Sequence, residues 1–167
     1  MSTLYAIALT TGILSGLWGW VAISLGLLSW AGFLGCTSYF AAPISGAKGL
    51  AISLITNMAG VFWAMVIIHV SQFLTAEVLG YAATAVVAFL MCVQAQQRWL
   101  SYIPGTFIGC CATFAAQGQW QLVAPSLVIG GVFGYLMKTS GLWLHKQSST
   151  PSSDSLPKGS AQSTNPE

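Results

Sequence analysis

The sequence predicts an all-α integral membrane protein with six transmembrane helices, arranged as two inverted three-helix repeats. The composition is the first reason, because hydrophobic residues make up 55% of the 167 positions and charged residues only 5%. Soluble domains contain about 25% charged residues, so this chain cannot cover a water-facing surface. In lipid only helices and closed barrels satisfy their own backbone hydrogen bonds, and long apolar stretches without alternation favour helices.

A nine-residue motif that occurs twice is the reason for predicting repeats. Positions 33–41 reappear as positions 107–115, and the same offset of 74 positions carries Gly60 onto Gly134. Each copy is the middle of three apolar segments. Because three is odd, a second half that follows the first through a bilayer is inverted relative to it, as in many channels and transporters. Shared packing requirements of apolar helices are the alternative explanation of the match.

The six helices are separated by polar segments and by proline or glycine breaks. We predict helix 1 at 3–20, helix 2 at 22–42, helix 3 at 49–70, helix 4 at 78–94, helix 5 at 102–116 and helix 6 at 121–144. Pro43 ends helix 2, and Pro104 lies in helix 5, which is short for a span of about 20 residues.

The chain is predicted to form one transmembrane domain and one tail. The domain covers residues 1–146, with repeat halves at about 3–70 and 78–144. The segment 147–167 is rich in Ser, Pro, Thr and Gly. It buries too little apolar surface to fold, so a disordered cytoplasmic tail is expected.

The cations predict the orientation in the membrane. Lys48 lies between helices 2 and 3, and Arg98 lies between helices 4 and 5. Lys146 and Lys158 follow helix 6. With six spans, all of these positions share one face with the N-terminus. Positively charged loops stay on the inside, which predicts that both termini are cytoplasmic.

The candidate functional residues lie in the two copies of the motif. If helices 2 and 5 meet at the centre of the protein, their small and hydroxyl-bearing faces leave a narrow conduit between phenylalanine collars. The pore or repeat-interface residues are Gly35, Thr37, Ser38, Gly109, Cys111 and Thr113, and the collars are Phe33, Phe40, Phe107 and Phe114. For each glycine the alternative is tight helix packing, because small residues let two backbones approach closely in lipid.

Two further polar residues are secondary candidates. Asn57 lies within helix 3 and must find a hydrogen-bond partner, most simply across a helix interface. Lys138 lies about two turns from the cytoplasmic end of helix 6. Its long side chain can snorkel to the interface or face a pore.

The chain offers little chemistry beyond these residues. No carboxylate lies inside a predicted span, since Glu77 is at the outer edge of helix 4. Ion-coupled carriers usually bury such a group, so a passive path, a neutral solute or no transport is favoured. We find no nucleophile–base pair and therefore expect no enzyme. The small net charge of +2 gives no indication of nucleic-acid binding.

The four cysteines do not suggest a metal site or a disulfide. Cys36, Cys92, Cys110 and Cys111 lie in apolar segments without metal-ligand spacing. We expect them to be buried free thiols, and we expect no cofactor.

The sequence also resembles the YcdZ-like family of bacterial inner-membrane proteins, a domain of unknown function. The resemblance is carried by segments 11–22, 27–36, 104–109, 134–138 and 140–143. It extends over about residues 3–144 and leaves out the tail. It implies a multi-pass protein of the inner membrane of a Gram-negative bacterium, and it implies no particular activity.

Together these observations predict a passive channel or facilitator for a small, uncharged solute. The alternative is a non-transporting membrane subunit or helix-interaction protein, in which the glycine faces bind another helix and no water reaches the middle of the membrane. A homo-oligomer is compatible with so small a chain, although nothing in the sequence sets a number.

Overall fold

A computed structural model describes residues 3–73 and 77–148. These residues form six α-helices and contain no β-strand. The helices are α1 (Thr3–Ser24), α2 (Ser29–Ala41), α3 (Gly46–Phe73), α4 (Glu77–Val93), α5 (Ile103–Ala115) and α6 (Trp120–Ser148), and a short 3₁₀ helix at Gln94–Gln96 follows α4. The all-helical prediction is therefore confirmed. From residue 149 onward, the tail that we predict to be disordered lies outside the described residues.

Four of the described helices are long and apolar enough to cross a membrane. Their candidate spans are Thr3–Ser24, Gly46–Gln72, Val78–Gln96 and Trp120–Gln147. In contrast, α2 and α5 have 13 residues each. At 1.5 Å per residue this is about 20 Å, against a hydrocarbon core of about 30 Å. Four full-length spans are thus supported, and the prediction of six is not confirmed.

The predicted boundary between the first two helices is wrong. We expected helix 2 to begin at position 22, but α1 continues to Ser24 and α2 begins at Ser29. The cause is Gly26, which has a φ of +64°. Around it the N–H of Leu27 bonds to the Ala22 carbonyl at 2.8 Å and the N–H of Gly26 to the Ile23 carbonyl at 3.1 Å. This pair of bonds is the Schellman ending of a helix, which needs a residue that tolerates positive φ.

The two short helices pack chiefly against the long third helix of the opposite half. α2 packs on α6, and α5 packs on α3. α3 and α6 also contact each other and run antiparallel, since Ile68 lies against Gly118 and Leu54 against Gly131. An apolar cluster fills the space where α3, α5 and α6 meet. It consists of Val61, Ala112, Val123 and Leu127.

The first and fourth helices lie on the outside of this core. α1 packs on α6, where the Thr10 hydroxyl donates to the Met137 carbonyl at 3.0 Å. Near the other end of α1 the Trp18 indole N–H donates to the Ser29 carbonyl at 2.9 Å. α4 packs on α3 through Val87 and Met91. Most of each outer helix remains exposed, as expected of surfaces that face lipid.

The offset seen in the motif also relates the helix boundaries. α2 and α5 have the same length and begin 74 positions apart, at Ser29 and Ile103. α3 and α6 also begin 74 positions apart, at Gly46 and Trp120. Corresponding helices of the two halves therefore start at matching positions.

Candidate functional site

The glycines of the repeated motif form close contacts between the two halves. A Cβ atom on Gly35 of α2 would meet the carbonyl oxygen of Leu127 and, at 3.0 Å, the backbone nitrogen of Gly131 in α6. A Cβ atom on Gly109 of α5 would meet the carbonyl oxygen of Asn57 in α3. Gly131 lies 74 positions after Asn57, so both glycines approach the same matched position of the opposite half, although Leu127, one turn earlier, lies nearest to Gly35. Only glycine allows the backbones to approach this closely.

The second pair of matching glycines makes the reciprocal contacts. A Cβ atom on Gly60 of α3 would meet the backbone of Thr106 and Cys110 in α5. A Cβ atom on Gly134 of α6 would meet the backbone of Cys36 in α2 at 3.0 Å. The glycines therefore join each short helix to a long helix of the other half. Although α2 and α5 touch each other, they do not form the central pair that we expected.

The outward face of each short helix carries part of the predicted conduit. Phe33 and Thr37 lie one turn apart on α2 and are exposed, and so are their counterparts Phe107 and Cys111 on α5. Their exposure means that they face away from the helix interface. The Thr37 hydroxyl donates to the Phe33 carbonyl of its own helix at 2.9 Å, as is common for threonine in apolar helices.

The remaining residues of the predicted conduit are also separated. Phe114 is exposed and Phe40 is partly buried, so the phenylalanines form no collar around Ser38. Thr113 is fully buried, but its hydroxyl donates to the Gly109 carbonyl of its own helix at 2.9 Å. The inward set thus consists of Gly35, Ser38, Gly109 and Thr113.

A buried polar cluster lies between α2, α3 and the start of α5. The Ser53 hydroxyl donates to the Ser38 oxygen at 2.9 Å, and the Ser38 hydroxyl donates to the Asn57 Oδ1 at 2.9 Å. The Tyr102 hydroxyl lies beside Ser38 but does not complete a hydrogen bond with it. We call these four residues the Ser–Asn cluster. Ser38, Ser53 and Asn57 are fully buried and Tyr102 is 5% exposed.

Two donors of the Ser–Asn cluster lack a partner. Among the described residues, no group completes a hydrogen bond with the Asn57 Nδ2 or with the Tyr102 hydroxyl, although both are buried. Leaving a buried polar group unsatisfied costs about 1–3 kcal/mol. Such exceptions are rare in folded proteins and need an explanation. The cluster can therefore offer two hydrogen bonds to a small molecule that carries an acceptor.

A second group of polar side chains continues from this cluster toward α4. The Gln94 Nε2 donates to the Thr106 Oγ1 at 3.2 Å, and the Trp63 indole N–H donates to the Gln94 Oε1 at 2.8 Å. Thr56, one position before Asn57, is also fully buried. Its hydroxyl donates to the Ile52 carbonyl at 2.8 Å.

The sequence predicted only part of this site. It identified Ser38 and Asn57, but it missed Ser53, Thr56 and Tyr102. A signal was present in α3, because positions 53, 56 and 57 have the spacing of one helix face. For Tyr102 no comparable signal exists, because only the packing of α5 brings it to α2.

The Ser–Asn cluster occupies only one of two equivalent places in the fold. Moving each of its members by 74 positions leads to Ala112, Leu127, Gly131 and Leu28. Ala112 and Leu127 belong to the apolar cluster where α3, α5 and α6 meet, and Leu28 packs against that cluster. The two halves thus share a backbone plan, while only one of the two equivalent places is polar.

The cysteines and Lys138 lie outside this site. Cys36 and Cys110 are buried, but Cys92 and Cys111 are exposed, which corrects the expectation that all four are buried. In the part of the chain that the structure describes, no three His, Cys, Asp or Glu side chains come together as metal ligands. The Lys138 Nζ donates to the Ser45 Oγ at 3.1 Å and lies 5.6 Å from the centre of the Tyr39 ring. It reaches the loop after α2, as a snorkelling lysine does.

The long apolar helices and the buried, uncharged polar cluster define a polytopic helical membrane protein. The chain belongs to the family described as protein of unknown function (DUF1097), whose family model matches residues 8–142. No solved structure matches the chain.

Curated relatives support the same assignment. The chain is 66% identical over 149 residues to the inner membrane protein YcdZ of Escherichia coli (strain K12), covering 89% of this chain and 91% of that protein. It is 63% identical to the inner membrane protein YcdZ of Salmonella typhimurium, covering 86% and 91% of the two chains. It is 32% identical to the uncharacterized protein YahC of Escherichia coli, covering 84% and 92%. The apolar helices fit a multi-pass protein of the inner membrane.

Proposed function

We propose that the chain is a non-enzymatic, passive facilitator or channel for a small, uncharged solute. The observation that carries this proposal is the Ser–Asn cluster, with its two buried donors that have no protein partner. Asn57 lies 11 residues after the start of α3, about 16 Å along the helix at 1.5 Å per residue. This is near the middle of a hydrocarbon core of about 30 Å, where a polar solute meets its highest barrier.

The chemistry of the cluster favours a neutral solute. Its members are hydroxyl groups and one amide, which donate and accept hydrogen bonds but carry no charge. An ion at this depth would need an opposite charge nearby, because an unpaired charge in an apolar interior costs far more than a hydrogen-bonded polar group. The Asn57 Nδ2 and the Tyr102 hydroxyl suit a carbonyl or hydroxyl oxygen of the solute.

The burial of the cluster favours a facilitator that alternates between closed and open states. It argues against a permanently open channel. Ser38, Ser53 and Asn57 are fully buried, and the glycine contacts at Gly35 and Gly109 close the space between the halves. A solute reaches the cluster only when the halves separate locally. Packed interfaces that switch between two arrangements provide such access in many carriers.

We further propose that the six helices form two inverted halves with both termini in the cytoplasm. The common offset of the helix starts and the exchanged glycine contacts support the repeat. α3 and α6 are corresponding helices of the two halves, since they begin 74 positions apart. Their antiparallel course supports the inversion of one half relative to the other. Lys48 and Arg98 line the same cleft, which supports one shared face for their two loops. α2 and α5 would complete their crossings with the non-helical segments that flank them.

The second candidate function is a non-transporting subunit or helix-interaction protein. Gly12 and Gly16 on α1 favour it, because a Cβ atom at either position would meet no atom within 4 Å. In lipid a small-residue face of this kind allows another helix to approach closely.

Solute flux tests the proposal. The full-length chain is reconstituted in liposomes, and light scattering after osmotic jumps follows the entry of water, urea and glycerol. Ser38→Ala should lower the protein-dependent rate about tenfold, because Ser38 holds the Asn57 amide that would bind the solute, and a lost hydrogen bond to a buried group costs roughly 1–1.5 kcal/mol.

Thr37→Ala is the matched control, since it removes a hydroxyl group one position away on the exposed face. It should leave the rate unchanged. Rates equal to those of empty liposomes for all three solutes would reject the facilitator and favour the second candidate function.

A further inference from the structure

A cleft at one end of the helix bundle brings together two cations from the two halves of the chain. It has a volume of about 320 Å³ and is lined by Ile44, Lys48, Ile52, Arg98 and Trp99. Lys48 is in the first turn of α3, and Arg98 is in the segment between α4 and α5. Both cationic side chains are exposed. The cleft therefore joins the two loops that we assign to the cytoplasmic face.

These cations have no carboxylate within reach among the described residues. The one acidic residue in the described ranges is Glu77, at the first position of α4. The cleft is near the other end of that helix, which has 17 residues and is thus about 25 Å long. Two positive charges that face one cleft without a counter-charge attract an anion. The N-terminus of the 28-residue α3 adds a partial positive charge beside Lys48.

The walls of the cleft identify the kind of anion. Trp99 is 58% exposed and Ile44 is 46% exposed, so large apolar surfaces stand directly beside the two cations. Tryptophan prefers the membrane–water interface because its ring is apolar at one end and polar at the other. A phospholipid has the matching arrangement, with a charged phosphate group next to an acyl chain. A guanidinium group binds phosphate oxygens in pairs, and an ammonium group adds a point charge.

We propose that Lys48, Arg98 and Trp99 form a binding site for an anionic phospholipid. The two cations bind the phosphate group, and Trp99 packs against the part of the acyl chain nearest to that group. Basic clefts between transmembrane helices on the cytoplasmic side are suited to such head groups. The bound lipid connects the loop that follows α2 with the segment that precedes α5, and it therefore bridges the two halves of the chain.

Lipid binding to the purified full-length chain tests this site. Native mass spectrometry and a fluorescence titration in detergent compare phosphatidylglycerol with phosphatidylcholine of the same acyl chains. The double variant K48Q/R98Q should weaken phosphatidylglycerol binding about 25-fold, because each cation near an anionic lipid contributes about fivefold. Its binding of phosphatidylcholine should not change. R98K keeps the charge and should lose less affinity than R98Q.

The matched control is K146Q, which removes a positive charge in the last turn of α6 that does not line the cleft. It should keep the affinity of the wild type for phosphatidylglycerol. Equal binding of the two lipids, or equal losses in K48Q/R98Q and in the control, would overturn the proposal. Displacement of phosphatidylglycerol by millimolar inorganic phosphate would show a site for free phosphate, which would also overturn it.

Discussion

At the scale of single residues, neighbouring positions of α2 have opposite environments. Thr37 is exposed and bonds to its own helix, while Ser38 is fully buried and bonds to Ser53 and Asn57 of α3. Successive residues of a helix point about 100° apart, so adjacent hydroxyl groups need not share a face. The sequence indicated that Asn57 needs a partner. It could not indicate Ser53, because that pairing depends on how α2 and α3 pack together.

The glycines of the two halves can be tested by adding a single methyl group. Gly109→Ala should destabilise the protein by about 1–3 kcal/mol, because its Cβ atom would collide with the Asn57 backbone. Gly16→Ala on α1 is the matched control, since a Cβ atom there has open space around it. It should be neutral or slightly stabilising. Thermal unfolding in detergent measures both. Equal stabilities of the two variants would show that the contact at Gly109 is not close.

At the scale of helices, the bounds were predicted well except at the turn between α1 and α2, and the short α5 lies within one residue of its predicted bounds at each end. α3, α4 and α6 lie within a few residues of their predicted positions, because polar or proline-containing segments flank them. The start of α2 was misplaced by seven positions, from 22 to Ser29. Residues 20–42 are apolar almost throughout, so hydropathy gives no boundary there. The turn depends on the positive φ of Gly26, which composition does not reveal.

The end of α1 provides a test at this scale. Gly26→Ala should destabilise the protein by about 1–2 kcal/mol, because a residue with a Cβ atom resists the φ of +64° found there. Gly19→Ala, inside α1 and with open space around it, should instead stabilise the helix by up to about 1 kcal/mol. Thermal unfolding followed by circular dichroism measures both changes in stability, which should have opposite signs. A stable Gly26→Ala variant would contradict the assigned helix end.

At the scale of the whole molecule, two halves with one backbone plan carry different interiors. Ser38 and Ser53 of the first half meet Tyr102 of the second, whereas the equivalent place is filled by the apolar residues Ala112, Leu127 and Leu28. A repeat of this kind gives two similar sets of helices that can move against each other, and it keeps a single polar site between them. The repeated motif predicted the plan but only part of the site, because Ser53, Asn57 and Tyr102 lie outside the motif and join Ser38 only when the helices pack.

Our proposed orientation can be tested by labelling whole cells. In a variant without the four native cysteines, Gln119→Cys should react with a membrane-impermeant thiol reagent added outside, because its turn lies on the outer face. Ser45→Cys and Ser101→Cys should react only after the cells are opened, because we assign both loops to the cytoplasm. All three side chains are exposed, so burial does not limit the reaction. Reaction of Ser45→Cys in intact cells would contradict the orientation.

The most direct test of a solute path through the Ser–Asn cluster is the reactivity of a cysteine placed in it. In the same cysteine-free chain, reconstituted in liposomes, Ser38→Cys and Thr37→Cys are exposed to a small water-soluble thiol reagent, with Ser45→Cys as the positive control. We predict that Ser38→Cys reacts, since water and solute reach it when the halves separate, and that the lipid-facing Thr37→Cys does not. Protection of both, while Ser45→Cys reacts, would contradict a path through the cluster.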